Sequence, residues 1–71
     1  MSSYQFIRKL TNGSEYWLGT AVRYPAGWRF LSRVASHKSS RTFHSTMEKC
    51  IPRWVGYPNS CESREFHLEG E

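Results

Sequence analysis

Arg23, Arg29 and Arg33 follow closely on Trp17 in a stretch that holds five aromatic rings between residues 16 and 30. A guanidinium presents a planar fork of donors that fits phosphate oxygens and the edge of a guanine. An indole offers a flat face on which an unpaired base can stack. Together these residue types point to nucleic-acid recognition. Lys38 and Arg41, set among serines in SHKSSR (36–41), extend that chemistry, because ammonium, guanidinium and hydroxyl groups all contact phosphates. Two other readings compete. SHKSSR also reads as a solvated connector, and Trp, Tyr and Arg dominate protein–protein hot spots as well.

His44, Cys50, Cys61 and His67 form a second set with chemical capacity, spaced H-x5-C-x10-C-x5-H. Structural zinc sites use ligand pairs two to four residues apart, and none is present, so no metal is expected. Cys50 reads instead as a small apolar core residue. A Cys–His nucleophile needs an orienting group, and the chain has no Asp. Paired carboxylates and a Gly-rich phosphate loop are absent too. The sequence therefore predicts a non-enzymatic protein without a cofactor.

The charge is divided unevenly. Residues 1–54 hold nine bases against two acids, a net +7, whereas residues 55–71 hold one base against four acids, a net −3. A basic body drawn to polyanions, with an acidic end, is the expectation. The chain's 71 residues allow one modest core, and its 15% aromatic content supplies much of the burial available to it. The domain is expected over 1–58, with 59–71 an acidic tail. MSSYQFIRKL lacks the apolar run of a signal peptide, and no stretch is long enough to span a membrane. A soluble, cytoplasmic protein with no membrane partner and two reduced thiols follows.

These side chains need elements to position them. YQFIRKL (4–10) and YWLGTAVRY (16–24) read as strands flanking Asn12-Gly13, a type I′ hairpin signal. Pro25 and Gly27 mark a second turn, with a third strand from Trp28 to about Ala35. RTF (41–43) offers a short fourth strand. Ser45 and Glu48 have capping-box spacing, and Met47, Cys50, Ile51 and Trp54 form one apolar helical stripe that Pro52 interrupts. The predicted class is α+β: a three-stranded antiparallel sheet, with room for a short fourth strand, packed by one short C-terminal helix in the order β-β-β-α.

Alternation along the strands then assigns two faces. Tyr16, Leu18, Thr20, Val22 and Tyr24 join Trp28, Phe30, Ser32 and Val34 under the helix. Trp17, Arg23, Arg29, Leu31 and Arg33 share the open face, with Gly19 and Ala21 leaving space for a ligand backbone. The element order resembles that of three-stranded-sheet-plus-helix DNA-binding modules such as the arm-type integrase domain, without a shared motif. The favoured expectation is a DNA- or RNA-binding accessory protein using Trp17, Arg23, Arg29, Arg33, Lys38 and Arg41. The alternative is a protein-binding adaptor or inhibitor, of the phage- or plasmid-encoded type, acting on a larger host machine.

Overall fold

The structure, a computed structural model, describes residues 2–67. β1 (Ser2–Lys9), β2 (Glu15–Tyr24) and β3 (Gly27–Ser32) form the expected antiparallel meander. A fourth strand, β4 (Glu62–His67), pairs antiparallel with β1, so the order across the sheet is β3-β2-β1-β4. With the single α-turn α1 (Met47–Cys50) the fold is α+β, as the sequence predicts. The fourth strand does not come from RTF. Residues 41–43 stay irregular, and only His44 bridges to Trp28, through N–H to carbonyl bonds of 2.8 and 2.9 Å. β4 comes instead from the segment read as an acidic tail, where a largely polar run carries no apolar alternation to announce a strand.

The first hairpin closes differently from the type I′ turn its Asn-Gly suggests. Gly13 alone takes a positive φ, +87°. Its N–H reaches the Leu10 carbonyl at 3.0 Å, and the Asn12 side chain accepts the Ser14 N–H at 2.9 Å. The result is a three-residue loop ending in a left-handed glycine, with an Asx turn in support. The second hairpin needs only Pro25 and Ala26, and Gly27, with φ +129°, opens β3 opposite Tyr24. β3 then ends at Ser32, earlier than Ala35, where the serine hydroxyl bonds both the N–H and the carbonyl of Val34.

A β-bulge decides which residues face which way. Phe6 lies opposite Gly19 while Ile7 lies opposite Trp17, so Leu18 is the extra residue of β2. From that point the alternation of β2 is reversed. Gly19 and Ala21 therefore join Leu18 on the core side, and Thr20, Val22 and Tyr24 pass to the open side with Trp17. This corrects the expected faces. The small residues make room for the core, not for a ligand: with no side chain at Gly19, the rings of Phe6 and Phe30 meet across β2 at 5.7 Å.

Phe6, Leu18, Ala21, Phe30, Cys50 and Val55 form the buried cluster. The Met47, Cys50, Ile51 and Trp54 stripe packs on it as expected. Its helix is one turn, since Ile51 is already extended ahead of Pro52, and a separate 3-10 turn, Arg53–Val55, carries Trp54 onto Phe30 at 5.8 Å, edge to face. The N-cap is Thr46, not Ser45: its hydroxyl accepts the Lys49 N–H at 3.4 Å. Arg8 ties β1 to this layer by donating to the carbonyls of Val55 (3.0 Å) and Ser60 (3.3 Å).

Candidate nucleic-acid interface

α1 and the 3-10 turn cover one side of the sheet. The opposite side carries Trp17 and Tyr24 from β2, Arg29 and Leu31 from β3, and Arg33 just past its end. Trp17 is fixed by its indole N–H, which donates to the Gly19 carbonyl at 2.8 Å, and the Arg33 guanidinium lies over the ring at 4.5 Å from its centroid. At the other end of the hairpin, Arg29 sits 5.8 Å from the Tyr24 ring and 5.6 Å from that of Phe43. Those two rings meet edge to face at 5.7 Å, and Arg29 Nε donates to the Ser40 carbonyl at 3.1 Å. Two arginine–aromatic groups therefore mark the two ends of one face.

Three of the six predicted contact residues are thus together: Trp17, Arg29 and Arg33. Arg23 is not among them. The bulge turns it to the helix side, opposite Trp28, where it is exposed. Lys38 and Arg41 are exposed on the segment that runs along the outer edge of β3, held there by Ser39 Oγ accepting the Ser32 N–H and by the Ser40 N–H donating to the Phe30 carbonyl, both at 2.9 Å. They flank the face without standing on it.

The charge is graded across the sheet. From Tyr16 to Met47 the chain holds five bases and no acid, and this stretch builds β2, β3 and the flanking segment. Acids lie on β4 and at the start of β2, and the ladders put Glu15 and Glu62 on the same face as Trp17. There Arg64 binds Glu15 and, at 2.6 Å, Glu62, the ion pairs found among the described residues. The hydrogen bond from Arg64 holds the Glu15 carboxyl below its ordinary range.

No protein family, curated protein or solved structure matches this chain. The reading of the face rests on its own geometry.

His44 lies at the β3 edge and His67 at the β4 edge, on opposite margins of the sheet, while Cys50 is in the core. Among the described residues no three His, Cys, Asp or Glu side chains gather as metal ligands would. Burial pushes the Cys50 thiol up to about 11 and raises that of Cys61, opposite to the shift an activated thiolate needs. No helix among the described residues is long and apolar enough to cross a membrane.

Two residues of the face, Tyr24 and Phe43, are not legible from simple strand alternation. Uninterrupted alternation puts Tyr24 in the core, although a lone glycine inside a strand pattern is a bulge signal and Gly19 supplies it. Phe43 had no such signal, because its place beside Arg29 depends on the whole 39–44 segment lying along β3.

Proposed function

We propose that this chain is a small, non-enzymatic nucleic-acid-binding protein that contacts its ligand through the open sheet face and the adjoining segment with Lys38 and Arg41. One observation carries the reading: Arg29 and Arg33 project from the same face, each over an aromatic ring, and neither joins the ion pairs found among the described residues. Guanidinium groups that stand beside aromatic rings and outside those ion pairs suit phosphates and bases together. A recess of about 340 Å³ on the helix side, lined by Ile51, Pro52, Tyr57 and Pro58 with Glu48 and Arg53, favours the second reading, a protein-binding adaptor.

Fluorescence-anisotropy titrations of labelled oligonucleotides at several salt concentrations test the proposal. Affinity should fall steeply with salt, and Arg29→Ala and Arg33→Ala should each lower the slope of log K against log salt by about one unit. Wild-type binding no tighter than about 10⁻⁴ M, the weak end of non-specific affinity, would favour the adaptor instead.

A further inference from the structure

We infer that the ligand of the open face is single-stranded nucleic acid, DNA or RNA, with one base stacked on Trp17 beside Arg33 and another on Phe43 beside Arg29. This rests on the nucleic-acid reading and narrows it to a substrate class.

The width of the sheet carries the first part of the argument. The 39–44 segment lies outside β3, and β1 and β4 lie beyond β2, so five chain segments stand side by side. At about 4.8 Å per neighbour they span roughly 19 Å, against a major groove about 12 Å wide that admits a helix or a two-stranded ribbon. The strands bearing Trp17 and Arg29 are flanked on both sides and cannot descend alone. α1 and the 3-10 turn cannot do it for them, because they cover the other face. Entry of the ribbon kind into an undeformed major groove is thus closed to these strands, whereas an unpaired strand can lie across the surface.

The rings carry the second part. Trp17 is 37% and Phe43 44% exposed, and neither belongs to the core cluster or the residues packed against it. Large exposed rings can stack on a base only where that base is not already stacked in a duplex. Arg29 and Arg33, four residues apart, are separated by about 13 Å of extended chain, with half-buried Leu31 between them. A base beside each ring leaves the neighbouring guanidinium within reach of its phosphate. Glu15 and Glu62, held by Arg64, occupy the same face beyond Trp17, so the strand's path follows β3 toward Arg41.

Four probes of one length, about twelve nucleotides and within the usual site size of single-strand binders, separate the possibilities. They are a base-bearing single strand as DNA and as RNA, an abasic single strand with the same phosphates, and a duplex of the same sequence. Anisotropy at about 0.15 M salt should show at least one base-bearing single strand binding roughly tenfold or more tighter than both the abasic strand and the duplex. Trp17→Ala and Phe43→Ala, checked for native circular dichroism, should each lower base-bearing affinity about five- to hundredfold while leaving abasic affinity unchanged. Trp17→Phe should restore part of the loss. Equal affinity for all four probes, or tighter binding of the duplex, overturns the inference and leaves phosphate binding standing. Failure to bind any probe overturns the nucleic-acid reading itself.

Discussion

Between Phe6 and Phe30 lies a β2 residue with no side chain. A Cβ built on Gly19 would come within 2.5 Å of Phe30 Cζ and 2.6 Å of the Leu31 carbonyl oxygen. The ring belongs to the fully buried core and the oxygen to the backbone, so neither can yield cheaply. Gly19→Ala should therefore destabilise by about 1 to 3 kcal/mol, the usual cost of overpacking. For a domain of this size that lowers the melting temperature by roughly 4–8 °C per kcal/mol, readable by circular dichroism. An unchanged melt would mean that Phe6 and Phe30 do not meet across β2 as described. The same residue sets the limit of what the face showed in advance. Trp17 precedes the bulge, and Arg29 and Arg33 lie on another strand, so simple alternation places all three correctly. Arg23 and Tyr24 follow the bulge, and alternation places both on the wrong side.

Elements were readable to the degree that their signals are local. The two hairpins announce themselves through Asn12-Gly13 and Pro25-Gly27, and the stripe from Met47 to Trp54 survives the break at Pro52, because the 3-10 turn returns Trp54 to the same layer. β4 gave no such signal: its place is set by the ladder to β1 and by Arg64, which reaches past β1 to Glu15 at the start of β2. This contact has a pH signature. Arg64 lowers the folded pKa of Glu15 below its ordinary value near 4.5. A depressed carboxyl contributes stability above the unfolded pKa, and that contribution is lost as pH falls through the folded one. Arg64→Gln should thus melt below wild type at pH 7, with the gap closing as pH drops from about 5 toward 3 and also as salt is raised, since the pair is exposed. Melts of both proteins across that range supply the check. A gap that stays constant with pH would separate the stabilising role of Arg64 from Glu15.

The described residues measure 38 × 25 × 21 Å, small enough for ionic strength to decide whether a charge on one face is felt at the other. At about 0.01 M salt the Debye length is near 30 Å and exceeds two of these dimensions, so every base on the body helps attract a polyanion whichever way it points. At about 0.15 M it shrinks to roughly 8 Å, and only charges near the ligand count. Arg23 and Arg33 carry the same charge ten residues apart, but the bulge leaves them on opposite sides of the sheet. Arg23→Ala and Arg33→Ala should therefore weaken binding by similar factors at the lower salt and diverge at the higher. There, Arg33→Ala should still bind more weakly than wild type, its loss smaller than at the lower salt as a slope change of about one unit for a released phosphate contact requires, while Arg23→Ala approaches wild type. Anisotropy titrations of the three proteins at both salts measure the divergence. If Arg23→Ala matches Arg33→Ala at about 0.15 M, within one Debye length of contact, the ligand reaches the helix side and the open face is not its seat.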